Sequence, residues 1–208
     1  MTTPNPEVAV RTRNRVSLLL IFALFAAPVV VAWALFFVFP EWIPTSTSNH
    51  GTLVKPVRQL PEFHLQTLAG ADLDREFLKE GWTLVYLHKG RCEKDCTEQL
   101  YKMRQVRLAQ GKNIDRVQRL MLWEPAGVDD PARKELQQHF PGQTVAVLPE
   151  AETPLTGAFA VDGQSPLSAD RLYLVDPLGN LMMLYAPDDN PGGIIRDLER
   201  LLKYSGLG

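Results

Sequence analysis

Residues 16–39 form the feature that most constrains this chain of 208 residues. The segment carries no charged side chain, and every residue in it is apolar except Ser17 and Pro28. A helix of about 24 residues is about 36 Å long, enough to cross a hydrocarbon core of about 30 Å. We therefore predict one transmembrane helix over residues 16–39, in which Pro28 is tolerated.

The charges that precede this segment predict its orientation. Arg11, Arg13 and Arg15 lie just before it, and the positive-inside rule keeps such residues in the cytoplasm. A cleaved signal peptide is the alternative, but its apolar run is about 7–15 residues and ends in a small-x-small site. Residues 36–42 contain no such site. We expect a cytoplasmic tail over residues 1–15 and an anchor in the inner (cytoplasmic) membrane, with the remainder of the chain facing the periplasm.

The remainder has the composition of an ordinary globular protein. The whole chain carries 22 basic and 24 acidic residues, a net charge of −2, which does not favour binding to nucleic acid. The composition also excludes a multi-span membrane protein, a disordered chain and a disulfide-stapled miniprotein. Residues 40–59 are predicted to be a tether, because Pro, Ser, Thr and Gly are frequent there. Residues 60–208 would form one domain of normal size.

The pattern of apolar residues in that domain alternates between strands and helices. Strand-forming runs, helical periodicity and turn signals predict an α/β domain with a mixed sheet, and the thioredoxin fold is the closest architecture. Residues 151–166 show no clear period and are predicted to be a loop. The predicted strands are 82–87, 117–122, 172–175 and 181–185, and the predicted helices are 96–110, 130–139 and one that starts at Asn190 and Pro191.

The only two cysteines, Cys92 and Cys96, fall between the first of these strands and the helix after it. A helix N-terminus carries partial positive charge and free N–H groups, which stabilise a thiolate. In an oxidising compartment the pair can hold a reversible disulfide, or its two sulfurs can bind a soft metal ion. The alternative is a static disulfide or two inert thiols, although a bridge that closes so small a loop adds little chain-entropy stabilisation.

Several stretches of the sequence match one known family. They are residues 60–63, 82–86, the Cys-x-x-x-Cys motif, residues 115–118 leading to 123–125, and residues 173–179. Together they resemble the SCO/SenC family of membrane-tethered thioredoxin-fold proteins, which helps to insert copper into the copper A centre of cytochrome c oxidase. The resemblance implies copper as the metal, Cys92 and Cys96 as its ligands, and an oxidase subunit or another copper or thiol protein as the partner.

The chain departs from the family pattern at the third copper ligand. The family has a histidine a few residues before the Tyr-Leu-Val-Asp-Pro stretch, whereas residues 167–171 contain none and Ser168 occupies the equivalent position. Thr97 also replaces the proline that usually follows the second cysteine. His88, four residues before Cys92, is our candidate for completing a Cu(I) site. The alternative for His88 is a polar residue that is hydrogen-bonded locally at a strand end.

Three functions remain open at this point. The first is an SCO-like assembly factor for cytochrome c oxidase that handles copper or the redox state of copper-site cysteines. The second is a metal-free periplasmic thiol–disulfide oxidoreductase, for which Cys92 and Cys96 would be the catalytic redox pair. The third is a redox-inactive thioredoxin-fold binding or scaffold protein. The sequence does not decide between an oxidoreductase and a non-enzymatic chaperone.

Overall fold

A computed structural model describes residues 6–39, 49–126, 129–150 and 153–205. The chain divides into two compact units after residue 48. The first contains one helix, α1 (Pro6–Phe37), which includes Pro28. Within the described residues, Arg15–Phe37 is the one helical segment long and apolar enough to cross a membrane, with a mean hydropathy of 2.7. The helix thus starts inside the predicted tail and ends two residues before the predicted end of the span.

The second unit is an eight-stranded sheet with helices on its faces. Short 3-10 helices, Arg75–Glu80 and Gly111–Arg116, precede β4 and β5. The strands are β1 (Thr52–Gln59), β2 (His64–Thr67), β3 (Asp72–Asp74), β4 (Trp82–Lys89), β5 (Val117–Glu124), β6 (Thr144–Val147), β7 (Leu172–Val175) and β8 (Asn180–Tyr185). The helices are α2 (Lys94–Leu108), α3 (Asp130–His139), α4 (Pro154–Ala158) and α5 (Pro191–Tyr204).

The strand order is β1-β8-β7-β4-β5-β6-β2-β3. β4, β5 and β6 run parallel, whereas β7 and β8 complete the centre of the sheet in antiparallel pairs. This arrangement confirms the predicted α/β domain with a mixed, thioredoxin-like sheet.

Both faces of the sheet are covered, which explains why β4 is a continuous apolar run. Alternate side chains of a strand point to opposite faces, so Leu84 and Tyr86 join one core while Val85 and Leu87 join the other. The first core contains residues of α2, α3 and α5, and the second contains Leu155 of α4 together with several loop residues. The central strands are therefore held rigidly between two cores, and their ends can present a site.

The folded unit begins earlier than the sequence indicated. We expected a tether over residues 40–59, but Thr52–Gln59 forms β1 and pairs with β8. The strand was missed because Pro56 and scattered charged residues interrupt its pattern, and proline is tolerated at a sheet edge. Residues 40–48 of the predicted tether and residues 1–5 of the predicted tail lie outside the described residues.

Other local differences concern helix starts and short elements. The expected loop at 151–166 contains α4, which Thr153 caps. α2 starts at Lys94, two residues before the predicted start, and the side chain of its N-cap residue Glu93 makes no cap hydrogen bond. The short strands β2, β3 and β6 were also missed, since three or four residues are too few to establish an apolar period.

A buried carboxylate fixes the start of the folded unit to its last helix. Asp197 of α5 accepts hydrogen bonds from the backbone N–H groups of His50 and Gly51, at 2.9 Å each to Oδ2. The hydroxyl of Tyr185 also donates to it, at 3.3 Å. Gly51 is required here, because a Cβ would lie 2.4 Å from the Tyr185 ring.

Candidate functional site

The candidate site is built where β4 ends and α2 begins. After Lys89, Gly90 adopts a positive φ of 79°, a conformation that glycine takes without steric penalty. Its carbonyl accepts a hydrogen bond from Trp123 Nε1 at 2.7 Å, and its N–H donates to the Glu124 carbonyl at 2.8 Å. The loop is therefore fixed to the end of the neighbouring strand β5 just before the cysteines.

Cys92 and Cys96 form a disulfide, with their Cα atoms 5.2 Å apart. Cys96 lies in the first turn of α2 and is only 1% exposed, whereas Cys92 lies in the preceding loop and is half-buried. The pair occupies the predicted strand-to-helix junction. Because the Glu93 side chain makes no cap bond, the helix N-terminus keeps free N–H groups that favour negative charge on a nearby sulfur.

Charged side chains around the disulfide form weak, exposed pairs. Arg91 lies 3.6 Å from Asp129, and Lys94 lies 3.9 Å from Glu98. Exposed pairs of this kind contribute little free energy because water and salt screen them. The same screening weakens the effect of these charges on the sulfurs.

A small hollow of about 120 Å³ opens beside Cys92. Its apolar lining includes Trp123, Leu136 and Phe140, and His139 and Arg91 add polar groups. A protein that approaches the half-buried sulfur would place a neighbouring side chain against this lining.

His88 lies at the end of β4, as expected, but local contacts occupy both of its ring nitrogens. Nε2 is 3.1 Å from the Arg91 carbonyl oxygen, and Nδ1 is 3.2 Å from the Tyr86 hydroxyl. This matches the alternative in which His88 is hydrogen-bonded locally. In the described parts of the chain, no three His, Cys, Asp or Glu side chains are grouped so that they could hold a metal ion. A copper site made of Cys92, Cys96 and His88 therefore stays a prediction without support from this arrangement.

Two residues of the site were missed by the sequence analysis. The buried Tyr86 hydroxyl donates a hydrogen bond at 2.6 Å to Oδ1 of Asp170, which lies 84 positions later in the chain. Burial, and then the hydrogen bond and charge of Asp170, raise the pKa of Tyr86 well above its ordinary value. The sequence could have indicated Tyr86, because residues i and i+2 of a strand share a face and Tyr86 is two residues before His88. No comparable spacing indicates Asp170.

The remaining histidines lie apart from the disulfide, except for His139. His50 contacts Asp197 at the start of the folded unit, and His64 is exposed on β2. His139 ends α3 and lines the hollow beside Cys92.

Solved structures with a similar fold include several Sco proteins. The copper-bound ScoI of Bradyrhizobium japonicum is 20% identical in sequence and has a TM-score of 0.53; the match covers 68% of this chain and 98% of the ScoI chain. The apo Sco1 protein of Thermus thermophilus is 18% identical and has a TM-score of 0.58; the match covers 76% of this chain and 99% of the Sco1 chain. The thioredoxin domain of a thiol-disulfide oxidoreductase from Bacteroides vulgatus is 13% identical and has a TM-score of 0.51; the match covers 69% of this chain and 94% of that domain's chain.

These likenesses confirm the thioredoxin-like fold and, at the level of fold, the resemblance to SCO/SenC proteins. No curated protein shows significant similarity to the sequence. A family model described as "Transmembrane-like, thioredoxin-like, C-terminal domain" matches residues 82–205, more than half of the chain, including the disulfide and all of β4 to α5. The chain therefore belongs to the family of transmembrane-like, thioredoxin-like C-terminal domains.

Proposed function

We propose that this protein is a membrane-anchored, SCO-like assembly factor that controls the redox state of the copper-site cysteines of cytochrome c oxidase. The observation that carries the proposal is the asymmetric disulfide, in which Cys92 is half-buried and Cys96 is buried at the start of α2. The fold likeness to Sco proteins supports the choice of partner.

The anchor would be α1, in the inner membrane with its N-terminus in the cytoplasm. The arginines before the apolar segment support this orientation. The domain would then face the periplasm, an oxidising compartment where a disulfide persists.

The proposed reaction is thiol–disulfide exchange. In the reduced pair, the Cys92 thiolate attacks one sulfur of the partner's disulfide, and the partner's other sulfur leaves as a thiolate. The Cys96 thiolate then attacks Cys92 in the mixed disulfide. This step releases the reduced partner and closes the Cys92–Cys96 disulfide, so two electrons pass to the partner. An external dithiol protein would restore the reduced pair.

Copper carriage is not included in this mechanism, because the residues present do not fit it. In the disulfide the two sulfurs are bonded to each other, and the described residues offer no group of three ligands. Titrating the reduced full chain with Cu(I), using His88→Ala and the double Cys→Ser variant as comparisons, tests this point. Binding that depended on all three residues would restore copper delivery as the function.

Trapping of the mixed disulfide tests the proposed partner. Cys96→Ser leaves the half-buried Cys92 without its resolving thiol, so it should accumulate a mixed disulfide with the copper-binding subunit of the oxidase. Cys92→Ser, which leaves the buried Cys96, is the matched control and should trap little. Both variants should lower oxidase activity and copper content when copper is limiting. Normal oxidase in both variants would overturn the proposal.

A metal-free thiol–disulfide oxidoreductase with other substrates is the second candidate. It is favoured by the departure from the family's copper ligands at Ser168 and by the fold likeness to the Bacteroides vulgatus oxidoreductase domain. In this case Cys96→Ser would trap other periplasmic thiol proteins while oxidase activity stays normal. A reduction potential below about −300 mV would exclude both candidates, because it is typical of an inert structural disulfide.

A further inference from the structure

A row of hydrogen-bonding groups connects the sheet to the loop that carries Cys92. It runs from Asp170, just before β7, through Tyr86 and His88 on β4, to the backbone carbonyl of Arg91. We call these three side chains the brace.

The contact of His88 with Arg91 has a defined direction. A carbonyl oxygen can only accept a hydrogen bond, so His88 Nε2 carries a hydrogen and donates it over 3.1 Å. The Arg91 carbonyl belongs to the peptide that leads directly into Cys92. The imidazole therefore holds the backbone next to the half-buried sulfur.

Tyr86 and Asp170 hold the imidazole in turn. The Tyr86 ring stacks against the His88 ring, with centroids 5.8 Å apart and planes 21° apart. The one hydroxyl hydrogen of Tyr86 goes to Asp170, so its oxygen, 3.2 Å from Nδ1, can only accept a hydrogen bond from the ring. The same hydroxyl donates to Asp170 at 2.6 Å, within the range of a charge-assisted hydrogen bond. Tyr86 itself is fully buried, so the brace starts from a rigid part of the core.

The backbone at Asp170 is left-handed, with a φ of +48°. Aspartate and asparagine tolerate this region better than most other residues. The hydrogen bond from Tyr86 holds the Asp170 side chain in place at this position.

We propose that Tyr86, His88 and Asp170 are positioning residues that keep Cys92 within reach of Cys96 when the pair is reduced. The equilibrium between dithiol and disulfide depends on the effective concentration of one thiol at the other. Loosening the backbone at Arg91 lowers that concentration and shifts the equilibrium toward the dithiol. The inference rests on the redox use of the pair in the proposed function.

The test measures the disulfide equilibrium of the full chain in detergent against mixtures of reduced and oxidised dithiothreitol. His88→Leu should lower the equilibrium constant for disulfide formation about tenfold, which corresponds to a reduction potential higher by about 30 mV. Tyr86→Phe and Asp170→Asn should lower it about threefold. His88→Gln, which can place an N–H near the position of Nε2, should recover most of the wild-type value. His64→Leu and Tyr101→Phe are the exposed controls and should leave it unchanged.

Three results would overturn the inference when the proteins remain folded by circular dichroism. The first is an equilibrium constant within twofold of wild type in His88→Leu. The second is an equal shift in His88→Leu and His88→Gln, which indicates general loss of packing. The third is a more stable disulfide in His88→Leu, which indicates that the imidazole acts on the thiolate by charge. If His88→Leu does not fold, Tyr86→Phe and Asp170→Asn decide the outcome.

The test is independent of the oxidase. A shifted equilibrium together with normal oxidase in the cysteine variants would leave the brace intact and reject the proposed function. An unshifted equilibrium in the brace variants, together with loss of oxidase activity in the cysteine variants, would reject the role of the brace and leave the proposed function intact.

Discussion

Cys92 and Cys96 are joined by one disulfide but face different surroundings. Cys96, in the first turn of α2, is 1% exposed, whereas Cys92 is half-buried and lines the same hollow as Trp123. An attacking group can therefore reach the sulfur of Cys92 more easily than the sulfur of Cys96.

This difference predicts unequal reactivity of the single-cysteine proteins. Iodoacetamide should modify Cys92 in Cys96→Ser at least about tenfold faster than Cys96 in Cys92→Ser, because reactivity needs an accessible thiolate. Mass spectrometry of samples quenched over time measures both rates. Equal rates in the two folded variants would contradict the asymmetry on which the trapping experiment depends.

Asp197 should be essential for the stability of the folded unit. Asp197→Ala leaves the N–H groups of His50 and Gly51 and the Tyr185 hydroxyl without their buried acceptor. We expect a loss of about 3 kcal/mol in the free energy of unfolding. Urea unfolding followed by tryptophan fluorescence measures it. Glu199→Ala, on the exposed side of the same helix, is the control and should change stability by less than about 0.5 kcal/mol.

Arg119 is expected to destabilise the fold. It is 5% exposed, and its Nε and Nη1 atoms have no hydrogen-bond partner among the described residues. Burial, helped by the charges of Arg107 and Arg104, lowers the pKa of Arg119 to about 10.

Arg119→Met should therefore raise the free energy of unfolding by about 1–2 kcal/mol, because it removes a buried charge that has no acidic partner among the residues that the structure describes. One hydrogen bond, from Nη2 to the Pro141 carbonyl, is lost in exchange. Thermal and urea unfolding measure the change. The exposed Lys134→Met is the matched control, and a less stable Arg119→Met protein would show that the guanidinium contributes favourably.

Tyr173 predicts a specific loss of stability at alkaline pH. Burial raises the pKa of Tyr173 to about 12, against a smaller opposite effect of Arg171. The folded state therefore favours the protonated phenol. Its contribution is complete below pH 10, the ordinary value, and is lost as the pH rises to about 12.

Tyr173→Phe removes this dependence. Between pH 7 and pH 11 the wild type should lose about 1 kcal/mol more of its unfolding free energy than the variant. Urea unfolding of both proteins at the two pH values measures the difference. Parallel losses in the two proteins would contradict the prediction.

Local signals explain what the sequence could predict. The apolar run of β4, the hairpin of β7 and β8, and the start of α5 at Asn190 and Pro191 each involve neighbours in the chain. The same holds for the cysteine pair, since its position between a strand and a helix is visible in a short stretch of sequence. The chemistry of the site was therefore predictable in outline.

Contacts between distant residues explain what was missed. Asp170 meets Tyr86 only because β7 pairs with β4, and no periodicity in one segment reports that pairing. β1 was missed for a related reason, since its place in the sheet depends on β8, more than a hundred residues later. His88 was noticed as a possible metal ligand because its neighbours in space, Tyr86 and the Arg91 carbonyl, could not be seen.

The bonds from His50 and Gly51 to Asp197 have a mechanical consequence. Any pull on the chain before residue 49 reaches these two residues first, and the buried carboxylate on α5 resists it together with the pairing of β1. The load thus enters the domain through a helix and a sheet edge. The strand that leads to the cysteines, β4, is separated from β1 by β8 and β7. Tension on the chain before residue 49 can therefore reach the redox pair through α5, which packs against α2 and its Cys96, rather than through β4.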